Sequence, residues 1–424
     1  MGESHNTQRL TETLIRIAWR NIWRNKRRTS LCVIACSIAV FFNIFMHSWI
    51  DGMIQGIERV VQTYETGHIL AVSQGYHQNR EYLPVQFPLG DGRPGTELLR
   101  EVESIDGVQT VLPRISTYAS LFDNVKKHAV LWGIDIDRER QAHALNLTTK
   151  SDGLIKGRFP MPGENACAVG YAFSRKSGLT IGQHVPLKTV SEQFSDKYWS
   201  PEIVGIFRFD YRRFDEDAIL VSIDRLQRIL GLTQSIQQLV IYTDSPDSLV
   251  SIEQNIKRKL GELTIVTSWT DNYWVAMFRS MSGMFLIVFA VFQIVASFLI
   301  INTMVMIIHE RIKEIGMMGA LGMNRTEIVM VFFLEALMLS VLGSLVGMII
   351  GGLSSWIASL YPLDMNTFTG GGMKDLPMAG TLYLAFSWIT CIKGFLFGIG
   401  VSALCTLFPS MKSAFIEPVE ALRR

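Results

Sequence analysis

An excess of one charge is missing from this chain. Its 40 lysines and arginines stand against 38 aspartates and glutamates, so the net charge over 424 residues is only +2. Nothing global therefore points to nucleic acid as a partner. Cysteine is scarce, with five in all. Cys32, Cys36, Cys391 and Cys405 lie in apolar runs, and Cys167 stands alone in the long polar region. A lone cysteine has no intramolecular partner there, so cysteine usage does not reveal the redox compartment. The i, i+4 pair Cys32/Cys36 reads as small packing residues rather than a metal or redox pair. Metal spacing is absent too: His128, His143 and His184 are scattered. "HERIK" at 309–313 begins like a zinc-protease helix but carries Lys313 where the second histidine belongs. No G-x-x-x-x-G-K-S/T phosphate loop occurs, so the chain is not expected to hydrolyse ATP on its own. Asp210, Asp215, Glu216 and Asp217 cluster near Arg208, Arg212 and Arg213, which reads as a charge-paired loop and not an active site. No catalytic residue, bound cofactor or metal is expected.

Long apolar runs, in contrast, are present. Hydrophobic residues make up 48% of the chain and the mean hydropathy is +0.24, which suits a membrane anchor joined to a sizeable water-exposed part. A bilayer core needs roughly 20 apolar residues per helix. Four runs qualify: 30–50, 284–308, 328–350 and 388–408. The first is too long, and lacks the small-residue motif, for a cleavable signal. Lysine and arginine bias sets the orientation. Basic residues crowd the segment 1–29, the linker 309–327 and the tail 409–424, whereas the external loop 351–387 has only Lys374. Both termini are thus expected in the cytoplasm, with residues 51–280 exported. Thr11 to Asn25 places Leu14, Ile15, Ala18, Ile22 and Trp23 on one face and arginines on another, as in a helix lying on the inner membrane surface. Gly343, Gly347 and Gly351 recur every four residues in span three, and Gly394 and Gly398 repeat the interval in span four. Such spacing lets helix backbones approach closely. Polar intruders are few: Asn43, Gln293, Asn302, Glu335 and Lys393. Glu335 and Lys393 lie near span ends and are expected to snorkel. No row of ionisable groups crosses the membrane, which argues against a channel or a secondary carrier.

Residues 51–280 read as an α+β domain. "HILAVS", "HAVLWGIDI", "NACAVGYAF", "EIVGIFRF", "AILVSI" and "QQLVIYTD" carry strand composition. "GTELLREVESIDG", "SIDRLQRILGL" and "SPDSLVSIEQNIKRKLGE" carry helical spacing, with Ser222 or Asp224 and Ser245 as candidate N-caps and Gly231 as a stop. A β-rich subdomain is expected as an insertion at about 153–217.

Between spans two and three runs "HERIKEIGMMGALGMNRTEI", a short helix from Glu310 to Leu321 stopped by Gly322. Asn324 and Glu327 then form a capping-box start for the next helix. Met317, Met318 and Met323 supply adaptable apolar contact, rimmed by Arg311, Lys313 and Glu314.

This stretch resembles the signature of FtsX/MacB-type ABC transporter permeases, roughly E-R-x-x-E-I-G-x-x-x-A-L-G-A followed by L-E-A-L. Glu310, Arg311, Glu314, Ile315, Gly316, Ala320, Leu321 and Gly322 match, and Met323 replaces the usual alanine. "AWRNIWRNKRRTSL" and "FIEPVEALRR" resemble the family's opening and closing motifs, with Glu417 in the closing Asp position. "TGHILAVSQGY" and "ACAVGYAFSRKSGLTIGQHVPL" resemble parts of its exported domain. The resemblance implies a membrane α-helical fold with four transmembrane helices plus an α+β exported domain of porter-like and β-rich subdomains. It implies that Glu310, Arg311, Lys313, Glu314, Ile315, Gly316, Met317, Met318, Leu321 and Gly322 form a coupling helix on a separate ATPase. That partner would be present in two copies and would hold ATP and Mg2+. A second permease chain, as homodimer or paralogue heterodimer, is implied as well. So is location in the bacterial inner membrane, with the large domain in the periplasm. Domain size and the lack of a fused ATPase favour the LolC/LolE-like branch, which releases lipoproteins to a periplasmic carrier. Alternatives are a MacB-like export system working with an adaptor, and an FtsX-like scaffold controlling a cell-wall hydrolase.

Overall fold

The computed structural model describes residues 16, 18–20, 26–121, 128–142, 144–146, 153–209, 211–232, 234–245, 248–310, 312–313, 317, 323–364 and 381–413. The chain divides into a helical unit (Met1–Met53, Arg279–Pro362 and Tyr383–Arg424) and a sheet unit (Ile54–Phe278 and Leu363–Leu382). Most of the N-terminal stretch expected to lie on the membrane falls outside the described residues.

Among the described residues, four helices are long and apolar enough to cross a membrane: they are found at Lys26–Val60, Tyr273–Glu310, Arg325–Leu360 and Trp388–Ser413. The first three have 35, 38 and 36 residues, hence about 50–57 Å at 1.5 Å per residue, against a hydrocarbon core of about 30 Å. They outrun the apolar stretches because a bilayer surface does not end a helix; a cap or a glycine does. The second helix begins only after Asn272, whose Oδ1 accepts the Trp274 N–H at 3.0 Å. The third begins at the box seen in the sequence, where the Asn324 N–H donates to Glu327 Oε2 at 2.9 Å. Glu335 does not snorkel: it is 2% exposed, because its helix turns that face toward the other spans. Hydroxyls that the sequence reading passed over are also buried, among them Ser297, Ser340, Ser344, Ser402 and Thr406. Ser297, Ser340 and Thr406 donate to carbonyls four residues back on their own helices, so burial leaves them satisfied.

The sheet unit is built on an 11-stranded sheet. Its strands are β1 Ile69–Ser73, β2 Val108–Leu121, β3 His128–Ile134, β4 Leu154–Gly157, β5 Ala166–Gly170, β6 Leu187–Val190, β7 Asp196–Trp199, β8 Glu202–Phe207, β9 Ala218–Ser222, β10 Gln238–Thr243 and β11 Thr264–Ser268. The order is β11-β1-β10-β2-β3-β9-β5-β8-β4, with β6 pairing β2 and β7. Among the described strand pairs, β3/β9 and β5/β8 run parallel and the others antiparallel. Helices Gly95–Glu103, Ile223–Leu230 and Leu249–Leu260 place Leu98, Val102, Leu226, Leu230, Ile252 and Ile256 into the core beside Ile69, Ala71 and Val111. On the opposite face Leu70, Val72 and Val240 pack with Tyr76. A short hairpin pairs Leu363–Asp364 with Thr381–Leu382.

Three local readings need correction. "NACAVGYAF" is a strand only to Gly170; Tyr171–Ser177 is a helix. A side chain at Gly170 would collide with the Asp215 carbonyl, so only glycine fits at the junction of strand and helix. The helix Leu249–Leu260 is entered from Ser248 and not Ser245. The longest strand, β2, was not recognised, because Pro113 and Arg114 interrupt its apolar pattern. Pro113 sits opposite Leu239 in the ladder, a position strand prolines seldom occupy.

Candidate functional site

Three regions are candidate sites. The first is the elbow after the second span. Glu310 ends that helix, and Ile312, Lys313 and Met317 are helical, with Met317 exposed. Arg311, Glu314, Ile315, Gly316, Met318, Leu321 and Gly322 lie outside the described residues.

The second is the glycine-lined packing of the spans. A Cβ on Gly343 would lie 2.6 Å from the Cys36 Cβ, and one on Gly347 would lie 2.6 Å from the Ser37 carbonyl oxygen. A Cβ on Gly351 would come within 3.2 Å of Ile44. From span four, a Cβ on Gly394 would lie 2.6 Å from Ile44 and one on Gly398 would lie 2.5 Å from Val40. Val40 and Ile44 of span one thus occupy the room that both glycine series leave. Beside them the Gln293 side-chain amide donates to Ser402 Oγ at 3.2 Å, and Ser297 Oγ lies 3.2 Å from the same hydroxyl. Lys393, by contrast, is exposed.

The third region was not foreseen. It is a cleft of about 560 Å3 wholly within the sheet unit. One wall is the π-helical turn Val61–Thr66, which continues the first helix and ends at Gly67 with φ 64°. Single π turns are frequent at functional places. This one is held on several sides. Arg114 Nη1 donates to the Tyr64 carbonyl at 3.1 Å, while Arg114 grips Glu139 through two bonds of 2.7 and 2.9 Å. The Tyr242 hydroxyl donates to the Gln62 carbonyl at 3.0 Å, and the Tyr64 hydroxyl to that of Phe209 at 2.7 Å. Burial pushes the Tyr242 phenol up to about 12 and raises the Tyr211 phenol as well, so both remain donors at neutral pH. Tilted rings gather around the turn: the Tyr64 and Tyr211 centroids are 5.1 Å apart, as are those of Trp132 and Phe214. The one sign in the sequence is an arginine set in the otherwise uncharged run "TVLPRIST".

The acidic cluster at 215–217 resolves into separate roles. Asp215 is buried and accepts the Phe209 N–H at 2.8 Å. Glu216 pairs with Lys176 and Arg212, each at 2.8 Å. Asp217 faces the cleft, and Asp210 lies outside the described residues.

Residues 29–259 match the family model of the MacB-like periplasmic core domain, and residues 286–418 match that of the FtsX-like permease C-terminal region. The first match takes in span one and nearly all of the sheet unit; the second takes in the remaining spans and the elbow. The chain belongs to the FtsX/MacB family of ABC transporter permeases. An uncharacterised ABC transporter permease of Methanocaldococcus jannaschii is 23% identical over 270 residues, covering 61% of this chain and 62% of that protein. The lipoprotein-releasing system transmembrane protein LolC of Neisseria meningitidis is 22% identical over 345 residues, or 77% of this chain and 80% of that one. Among solved structures, the periplasmic region of MacB from Actinobacillus actinomycetemcomitans aligns at 10% identity with a TM-score of 0.34, covering 54% of this permease and 95% of that region. This permease is thus a membrane protein with four candidate spans and a mixed α/β domain of the MacB-like type.

Proposed function

We propose that this permease is the transmembrane subunit of an ATP-driven complex that works by mechanotransmission. Its cargo is a lipoprotein or similar amphiphile, drawn from the outer leaflet of the bacterial inner membrane and passed to a periplasmic carrier. Two copies of a separate ATPase bind ATP and Mg2+, and a second permease chain completes the assembly. The sheet unit, including a β-rich insertion at about 153–217, stands in the periplasm, and both termini are cytoplasmic. The observation that carries this reading is the helix Tyr273–Glu310. It runs without a break from the end of the Ile54–Phe278 segment of the sheet unit to the first residue of the elbow motif. A continuous helix transmits displacement at its end along its length. Similarity to LolC over most of both chains supports the choice of cargo.

The elbow supplies the test. Burying a methionine or leucine side chain contributes roughly 1.5–3 kcal/mol, whereas an exposed ion pair contributes ~0–1 kcal/mol. Met317→Asp or Leu321→Asp should therefore lose the ATPase on co-purification, or lose substrate-stimulated hydrolysis, while Arg311→Ala should be milder. Full retention of both properties in the Asp variants would reduce the elbow to a membrane-surface turn. Cargo is tested separately, by release of a lipoprotein from proteoliposomes into a soluble carrier.

A further inference from the structure

The cleft in the sheet unit contains a carboxylate whose hydrogen-bond partners among the described residues stand at the long end of the range. Glu65 lies on the π turn with its side chain only 18% exposed. The Tyr211 hydroxyl reaches its Oε1 at 3.3 Å, the Asn272 amide reaches its Oε2 at 3.3 Å, and Arg80 stands off at 3.9 Å. Charge-assisted bonds to a carboxylate normally close to about 2.7–2.9 Å. A largely buried carboxylate whose hydrogen bonds among the described residues are this long has room for a nearer cationic donor. The sign of the cleft agrees with this. Its described lining carries four carboxylates (Glu65, Glu81, Asp217 and Asp271) against two guanidinium groups, Arg80 and Arg213.

Aromatic surface adjoins that charge. Tyr118 on β2 pairs with Val130 on β3, and Ser116 pairs with Trp132. Tyr118 and Trp132 therefore share one face of the sheet, and both line the cleft. Tyr118 is 41% exposed, so its ring is open to a ligand. Aromatic faces attract cations and cover apolar groups equally well. A volume of about 560 Å3 lies within the usual range for small-molecule sites. Beneath Glu65, the buried Arg114–Glu139 pair fixes the turn that presents it.

We propose that this cleft binds an amphiphile bearing a primary ammonium group, with its N–H donors on Glu65 and its apolar body against Tyr118 and Trp132. The proposal does not depend on which cargo the permease moves. Such an ammonium has two sources: the ethanolamine headgroup of a membrane lipid, or a soluble amphiphilic amine. Glu65 belongs to the turn that continues the first helix.

The experiment uses the full chain in phosphatidylcholine nanodiscs and three dansyl probes that differ only at the end of a five-carbon tail: ammonium (dansylcadaverine), neutral methyl or carboxylate. Fluorescence polarisation should show the ammonium probe binding at least about tenfold tighter than the neutral one, and the carboxylate probe weakest. Glu65→Gln should bring ammonium and neutral probes to within about twofold, while Glu65→Asp, which keeps the charge, should keep the preference. Trp132→Ala should weaken all three probes together. Unchanged binding of the neutral probe to Glu65→Gln reports that the cleft is intact. Introducing phosphatidylethanolamine into the discs separates the sources. Competition with the ammonium probe identifies the lipid headgroup, and its absence identifies a soluble amine. Equal affinity for ammonium and neutral probes, or a preference that survives Glu65→Gln, overturns the proposal.

Discussion

Arg114 and Glu139 offer the sharpest energetic test of the sheet unit. Their side chains are 0% and 1% exposed, and the guanidinium makes three bonds, two to Glu139 and one to the Tyr64 carbonyl. Removing one member of a buried pair leaves an uncompensated charge, at about 3–5 kcal/mol. Glu139→Gln should therefore destabilise the unit by about that much, out of the ~5–15 kcal/mol that domains typically possess. The double variant Arg114→Met/Glu139→Leu removes both charges and leaves only the lost bond to the Tyr64 carbonyl, about 1.5–3 kcal/mol for a charged donor. The double variant should thus be more stable than the single one, although it alters more atoms. Urea unfolding of the purified chain in mild detergent, followed by tryptophan fluorescence, measures this ordering. Amide exchange across Val61–Thr66 should speed up in both variants, because both free the π turn. A double variant less stable than Glu139→Gln would refute the reasoning, as would a neutral Glu139→Gln.

Three other outcomes are expected. Gly347→Ala should loosen the spans by about 1–3 kcal/mol, since its Cβ would lie 2.6 Å from the Ser37 carbonyl; Gly400→Ala, with nothing within 4 Å, should be neutral or mildly stabilising, and thermal unfolding in detergent compares the two. Cys167 is fully buried on β5, and burial pushes its thiol up to about 12, so iodoacetamide at pH 8 should modify its peptide only after unfolding, as read by mass spectrometry. Arg158 grips Glu164 at 2.6 and 2.8 Å and holds its carboxyl down at about 2, below the ordinary 4.5. A depressed folded-state value means stabilisation that is present above the unfolded value and lost as pH falls through the folded one. The small stability gap between wild type and Glu164→Gln should therefore hold at pH 7 and close between about pH 4.5 and 2; a gap unchanged at pH 2 would show that the ion pair is not its source.

Membership in the permease family was legible because it rests on local, contiguous information. Apolar runs of bilayer length, the Glu310–Gly322 motif and the Asn324/Glu327 cap are each written within a few turns of chain. Helices such as Ile223–Leu230, closed by Gly231 at φ 78°, were legible for the same reason. The ends of the spanning helices were not, because hydropathy reports where apolar side chains stop and not where backbone hydrogen bonding stops. Strand β2 was hidden by Pro113 and Arg114, whose meaning depends on β10 and on Glu139, distant in sequence. The glycine interval was visible, but that Val40 and Ile44 fill the space beside it emerged only when the helices were packed. Glu335 read as a snorkelling residue because its depth could be counted from the sequence, while the direction of its side chain could not. The cleft draws Glu65, Tyr118, Trp132, Tyr211 and Asn272 from five separate segments. No periodicity or motif links them; only the closing of the sheet brings the rings and the carboxylate together, because proximity across a fold is set by packing and not by spacing along the chain.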